Sequence, residues 1–286
     1  MNQLQLLGAI EIGLIYSLVA IGVYISFKII DFPDLTVDGS FTLGAAVSSA
    51  MIYAGFDPYF ATLVAILAGG FAGAVTGYLN VRWNILGLLA GILTMTALYS
   101  INLRIMGRPN IAIIDSATVF GNWSIIGVIL VITLLTILLL TRFFASEFGL
   151  AIRAVGINPK VSSAYGIRVG AMKIIALSIS NGIVALAGSL FAQSQGFADI
   201  SMGTGTIIVG LASVIIGEAL VNPERVWGAL LTCAIGSILY RIAIAFALNA
   251  HDIGLEASDL NLITALLVAL TMIATRLKKK SGAKSV

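Results

Sequence analysis

The sequence predicts an all-α, polytopic membrane protein, and three observations support this prediction. Hydrophobic residues make up 59% of the 286 residues and charged residues only 10%, whereas soluble domains are about one quarter charged. Uncharged apolar runs recur along the chain, and several exceed the roughly 20 residues that a membrane-spanning helix needs. These runs also lack the alternation of polar and apolar residues that is typical of membrane β-barrel strands.

About nine apolar segments are predicted to be helical. Their approximate bounds are 7–30, 36–54, 58–80, 84–106, 122–142, 171–192, 203–220, 226–248 and 259–276. The second and the seventh are short, so we expect each to be broken or to cross only part of the bilayer. All of them belong to one predicted transmembrane domain, 1–286. Its parts are a first half at about 1–142, a loop at 143–170, a second half at about 171–276 and a basic tail at 277–286.

The distribution of basic residues predicts the orientation. With the N-terminus outside, 13 of the 16 Lys and Arg residues fall on the cytoplasmic side, and the exceptions are Arg104, Arg108 and Arg241. The opposite orientation would break the positive-inside rule. We therefore expect a multi-pass protein of the cytoplasmic membrane with its C-terminus in the cytoplasm. Orientation also explains the net charge of +3, so lipid rather than nucleic acid is the expected environment.

Two similar breaks open the two short segments. Residues 34–40 read DLTVDGS, and residues 199–205, which begin 165 positions later, read DISMGTG. Unpaired backbone groups are costly in lipid, so such breaks survive only inside protein or beside a water-filled path. Interrupted segments at matching places in two halves indicate a transporter. Because five segments precede the central loop, the second half is predicted to be an inverted repeat of the first.

Polar residues at the breaks are candidates for the translocation pathway. They are Asp34, Thr36, Asp38, Ser40, Thr42, Thr204 and Thr206. The alternative is that they only bond to backbone groups at segment ends. Asp38 suits either a contact with a substrate ammonium group or a cap on a helix N-terminus, which favours negative charge. Because Asn caps helices as well as Asp does, Asp38→Asn is expected to remove only the first role.

Three glycines share one face of the third segment: Gly69, Gly73 and Gly77. This spacing lets helices approach closely in lipid, and we favour packing within the subunit over a gate or a dimer contact. Among the charges inside predicted segments, Glu218 and Arg241 are the deepest. Glu218 is expected to pair with Arg225, and Arg241 is expected to extend outward toward the interface.

The central loop encodes a short basic helix at about 159–165. Asn158 is a favoured N-cap residue, and Pro159 suits the first helical position, where a missing N–H costs nothing. Gly166 suits a left-handed stop after the last turn. A basic helix with both ends marked, on the predicted cytoplasmic surface, indicates a docking element for a soluble partner. The alternative is a charged segment that serves only to set the orientation.

The pattern Gly149-x-x-x-Arg153-Ala-x-Gly156-x-Asn158-Pro159, followed by Gly166-Ile167, resembles the coupling loop of permease subunits of ATP-binding-cassette importers. The most similar group is the branched-chain amino acid and ribose-type permeases. Within it, residues 35–41 are most similar to a subgroup paired with tryptophan- or tyrosine-type binding proteins. The resemblance covers most of the chain.

This resemblance implies a type II-like importer fold and a small amino acid, aromatic or hydrophobic, as the substrate. It implies as partners two cytoplasmic ATPase subunits that bind ATP and Mg²⁺, an extracytoplasmic binding protein and a second permease copy. A homodimer is expected, although related permeases also form heterodimers. The residues that it assigns to ATPase coupling are Arg153, Gly156, Asn158, Pro159, Lys160, Tyr165 and Gly166.

The chain lacks the phosphate-binding motif GxxxxGK[ST]. We therefore expect no ATP hydrolysis, no catalytic residue and no cofactor in this chain. The single histidine, His251, has no partner at metal-ligand spacing, so no metal site is expected. The alternative function is a secondary, ion-coupled transporter without an ATPase. It is disfavoured because none of the 13 acidic residues falls clearly at mid-span.

Overall fold

The computed structural model describes residues 3–248 except 115, 122 and 222–224, together with positions 266 and 269. The helices are α1 Gln3–Val23, α2 Thr36–Tyr53, α3 Pro58–Trp83, α4 Gly87–Met106, α5 Ile125–Ala145, α6 Glu147–Ile157, α7 Pro159–Ala164, α8 Val169–Gln195, α9 Thr206–Leu220 and α10 Val226–Leu248. A π-helical turn, Tyr24–Ile29, continues α1. Two strands, β1 Asn110–Ala112 and β2 Phe197–Asp199, pair antiparallel. The predicted all-α membrane architecture is confirmed.

Within the described part of the chain, six helices are long and apolar enough to cross a membrane: Gln3–Ile29, Pro58–Trp83, Gly87–Met106, Ile125–Ala145, Val169–Gln195 and Val226–Ala247. The two segments predicted to be short are not among them. Helix α9 has 15 residues, about 22 Å, which is less than the roughly 30 Å of a bilayer core. The ninth predicted segment, 259–276, and the tail, 277–286, lie outside the described residues, as does His251.

The strand pair defines one face of the molecule. Pairing of β1 with β2 brings the ends of α4 and α8 to the same side, which we call the strand face. Helix α8 has 27 residues and so is about 40 Å long. Its beginning, together with α6 and α7, therefore lies at the opposite side, which we call the loop face.

The helix packing repeats between the two halves. Helix α3 packs against α8 and α2, and α10 packs in the same way against α1 and α9. Exchanging α1 with α8, α2 with α9 and α3 with α10 therefore maps one set of contacts onto the other. The two short helices run in opposite directions, because α2 ends toward the strand face and α9 toward the loop face. This arrangement is the inverted repeat that the sequence predicts.

Glycines make the close contact between α3 and α8. A methyl group at Gly69 would overlap the Ala185 side chain, and one at Gly73 would overlap the carbonyl oxygen of Leu177. Gly77 of α3 lies against Ile174 of α8. The three glycines thus serve packing within the subunit, which is the interpretation favoured from their spacing.

Glu218 and Arg241 have partners other than those predicted from the sequence. Glu218 pairs with Lys28 at 2.8 Å, and the predicted pairing with Arg225 is wrong. The π-helical turn carries Lys28 to the end of α9, which the local sequence around Glu218 does not reveal. Arg241 does not extend outward either, since its guanidinium lies 4.2 Å from the ring centroid of Tyr16 on α1.

Candidate functional site

The break before α2 lies deep within the membrane domain. The carboxylate of Asp34 is fully buried and accepts a 2.6 Å hydrogen bond from the side-chain amide of Asn181, which lies halfway along α8. The other carboxylate oxygen accepts the backbone N–H of Thr36 at 2.9 Å. This bond orders the first turn of α2. Helix α2 therefore begins near mid-depth rather than at the loop face.

The break before α9 reaches the same depth from the strand face. Asp38, in the first turn of α2, accepts hydrogen bonds with both carboxylate oxygens. The N–H of Gly205 donates to Oδ2 at 2.9 Å, while the hydroxyl of Thr206 and the N–H of Ile207 donate to Oδ1 at 2.8 Å each. These groups belong to the N-terminus of α9, where negative charge is favoured. Asp38 thus caps a helix of the other half of the molecule.

Two further contacts bring the breaks together. The hydroxyl of Thr42 accepts the N–H of Gly203 at 3.1 Å. A side chain at Gly203 would overlap the backbone carbonyl of Asp38. The chain between β2 and α9 therefore passes directly against α2. The first turns of the two short helices therefore meet inside the domain, an arrangement that recurs at the binding sites of transporters with inverted repeats.

A buried hydroxyl and amide network supports the first break. Ser40 donates to the side-chain oxygen of Asn181 at 2.7 Å, and the hydroxyls of Thr36 and Thr76 lie 2.7 Å apart. Asn181 and Thr76 were not among the residues predicted from the sequence. For Asn181 a signal existed, because it is an amide within an otherwise apolar run, where polar side chains commonly bond between helices.

Both breaks contain the same local turn. Asp34 accepts the N–H of Thr36, and Asp199 accepts the N–H of Ser201, so each acid bonds to the backbone two residues later. Such turns are a recurrent use of Asp in loops. The Ser201 hydroxyl also donates to Asp199, and this bond holds the pKa of that carboxyl below its usual value. The shared turn is consistent with the internal repeat.

The structure brings the pathway candidates together but places most of them in the interior. Six are buried: Asp34, Thr36, Asp38, Ser40, Thr42 and Thr206. Thr204 is the only exposed member of the predicted set. The buried six bond to one another, to Asn181 and Thr76, or to the backbone of the second half. Within one copy of the chain, they therefore fasten the two halves together.

The second cluster lies at the loop face, where α7 has the predicted caps. The side-chain oxygen of Asn158 accepts the N–H groups of Lys160 and Val161 at 3.1 Å each. Pro159 is the first residue of α7, and Gly166 has a left-handed φ of +81°. Helix α6 directly precedes α7 and is capped by the hydroxyl of Ser146. It was not predicted from the sequence.

Helix α6 packs against the end of the first span. Gly156 lies against the π-helical turn so closely that a side chain would overlap the carbonyl oxygen of Ile29. Arg153, one turn earlier, has a buried Nε atom without a hydrogen-bond partner among the described residues. These two predicted coupling residues therefore lie on the inner side of the loop helices.

The outer side of the loop helices presents an apolar surface. Ile157 is 87% exposed, Tyr165 84% and Val161 49%. They border a cleft of about 290 Å³. Basic residues lie in the loop or near the loop-face ends of the neighbouring helices: Lys28, Arg82, Arg142, Lys160, Arg168, Lys173 and Arg225. A contiguous exposed apolar surface with a polar rim is typical of a protein interaction site.

The sequence is similar to those of known permease proteins. The family model described as branched-chain amino acid transport system, permease component, matches residues 5–275. A tyrosine transport system permease protein of Clostridioides difficile (strain R20291) is 42% identical over 278 residues, which cover 96% of this chain and 93% of the relative. A ribose import permease protein of Haemophilus influenzae is 25% identical over 230 residues, 77% of this chain and 70% of the relative.

A solved structure, PsaBC from Streptococcus pneumoniae in complex with Fab, has a similar fold. The TM-score is 0.54 with 13% sequence identity, and the match covers 93% of this chain and 89% of that chain. At this level of identity the likeness shows the fold alone.

Proposed function

Since the chain belongs to the family of branched-chain amino acid transport system permease components, we propose that it is the membrane subunit of an ATP-driven importer. In this proposal two copies of the chain form the transport path, and two cytoplasmic ATPase subunits bind ATP and Mg²⁺. An extracytoplasmic binding protein delivers the cargo. The chain itself has no catalytic role and holds no cofactor.

The observation that carries the proposal is the capped helix α7 with its exposed apolar surface. A short helix whose two ends are fixed, as α7 is by Asn158 and Gly166, presents a rigid surface at little entropic cost. The basic residues on the loop face support a cytoplasmic position for this face by the positive-inside rule. The N-terminus then lies outside, and α7 faces the compartment that contains ATP.

For the cargo we propose an aromatic or hydrophobic amino acid, with tyrosine as the first candidate. The support is the 42% identity to a tyrosine transport system permease over nearly the whole of both chains. The lower identity of 25% to a ribose import permease makes a sugar the weaker candidate.

Replacement of Tyr165 tests the docking surface. Tyr165 is 84% exposed, so Tyr165→Ala should leave the fold of the permease intact. Buried tyrosines at interfaces commonly contribute about 2 kcal/mol, so we expect the affinity for the ATPase subunit to fall about 30-fold. The affinity is measured by binding of the purified ATPase to the permease in nanodiscs.

Tyr53 provides the matched control, because it is also an exposed tyrosine, 64%, but lies toward the strand face. Tyr53→Ala should bind the ATPase as the parent protein does. Equal binding by the Tyr165 variant and the parent would rule out this surface as the docking site. A double variant that replaces Pro159 and Gly166 removes the signals at both ends of α7. In this variant, ATP hydrolysis should no longer be coupled to transport.

A further inference from the structure

Helix α4 is an exposed span with hydroxyl groups on its exposed surface. Its buried face packs toward α2: Ala90, Gly91, Thr94, Leu98, Asn102 and Met106. On the opposite side, Thr96, Tyr99 and Ser100 are exposed. Thr96 lies near the middle of the helix, and the other two lie one turn closer to the strand face. This polarity is unexpected for a surface in contact with lipid.

Helix α5 provides a comparison, because it is also an exposed span but has an aliphatic exposed face. Apart from Arg142 near its end, its exposed large side chains are aliphatic: Leu130, Val131, Leu134, Leu135, Leu138 and Leu139. The two helices are buried to a similarly low degree, so exposure alone does not distinguish them. The chemistry of the exposed face does, because hydroxyl groups in hydrocarbon are costly unless they are hydrogen-bonded.

The three polar residues of α4 occupy one stripe. Positions 96, 99 and 100 are separated by three and four residues, and such positions neighbour each other on a helix surface. Thr96 bonds back to the carbonyl of Ile92 at 2.8 Å. No hydrogen bond is formed by the hydroxyls of Tyr99 and Ser100 within the described part of the chain. Arg104, four residues after Ser100, is exposed at the outer end of the same stripe.

We propose that this stripe of α4 lines the substrate path and contacts the cargo. This inference rests on the proposed function, in which a second copy closes the path on the opposite side. Ser100 and Thr96 offer hydroxyls to the polar groups of an amino acid, and the Tyr99 ring offers a stacking surface for an aromatic side chain. Arg104 at the mouth attracts the carboxylate. In this proposal the buried residues at the breaks hold the two halves together, and the stripe of α4 contacts the substrate.

The single cysteine makes a clean test available. Cys233 is the only cysteine of the chain and is buried, so Cys233→Ala gives a cysteine-free parent. Cysteines are then placed singly at Thr96 and Ser100 on α4 and, as matched controls, at Leu134 and Leu138 on α5. Each variant is reconstituted with its ATPase and binding protein. A charged thiol reagent that does not cross membranes is applied, and labelling and ATP-driven tyrosine uptake are measured.

We expect the reagent to label both α4 positions, to reduce uptake to the level seen without ATP, and to react more slowly when tyrosine is in excess. The α5 positions should stay unlabelled with uptake unchanged. Uptake by the cysteine-free parent reports on the proposed function alone. If that parent imports tyrosine while the α4 positions resist labelling as the α5 positions do, the assignment of α4 is overturned. Labelling of α4 that leaves uptake unchanged would overturn it too.

Discussion

Asp38→Asn is expected to destabilise the permease by about 3 kcal/mol or more, because hydrogen bonds to a charged group contribute about 1.5–3 kcal/mol each. Both carboxylate oxygens of Asp38 accept bonds from the start of α9. In the Asn variant one oxygen becomes an NH₂ group, which faces N–H or O–H donors and cannot accept. The variant should therefore show a lower midpoint of thermal unfolding and reduced yield of folded protein.

Asp57 supplies the matched control for this substitution. It caps α3 and is exposed, and the N–H groups of Tyr59 and Phe60 both donate to its Oδ1. An Asn at this position keeps that acceptor, so Asp57→Asn should unfold within a degree or two of the parent (about 0.5 kcal/mol). Equal unfolding midpoints for the two variants would contradict the capping role of Asp38.

Gly156→Ala is expected to uncouple ATP hydrolysis from transport. The added methyl would overlap the carbonyl oxygen of Ile29, and backbone atoms do not move aside as side chains do. Overpacking of this kind commonly costs about 1–3 kcal/mol, and here it would push α6 away from the π-helical turn. We expect the ATPase activity of the assembled complex to become independent of the cargo-loaded binding protein, with uptake lost.

Gly8→Ala controls for the general effect of replacing a helical glycine. Nothing lies within 4 Å of a methyl at this position on α1, so the variant should transport as the parent does. If Gly156→Ala keeps cargo-dependent ATP hydrolysis, the contact between α6 and the end of the first span has no part in coupling.

Sequence patterns predicted the elements whose causes are local. Long apolar runs identified the spans, and α7 could be delimited because its capping residues lie within the helix or beside it. The same reasoning missed α6. Its N-cap, Ser146, was a usable signal, but at 11 residues the segment is too short to resemble a span. The π-helical turn that continues α1 has no local signature in the sequence.

Contacts between distant residues could not be predicted in this way. Asp38 was recognised as a helix-capping residue, yet the helix it caps begins 168 positions later at Thr206. Asn is therefore not expected to cap α9 as well as Asp38 does, because both carboxylate oxygens accept hydrogen bonds there. Glu218 was paired with a nearby arginine although Lys28, 190 positions away in sequence, is its partner. Such pairings depend on how the two halves pack.

The most direct measurement is tyrosine uptake into liposomes that contain the purified permease, its ATPase subunits and its binding protein. We expect uptake only when ATP and all three proteins are present, and none by the permease alone under a proton or sodium gradient. Uptake by the permease alone, driven by either gradient, would contradict the proposed function and establish a secondary transporter.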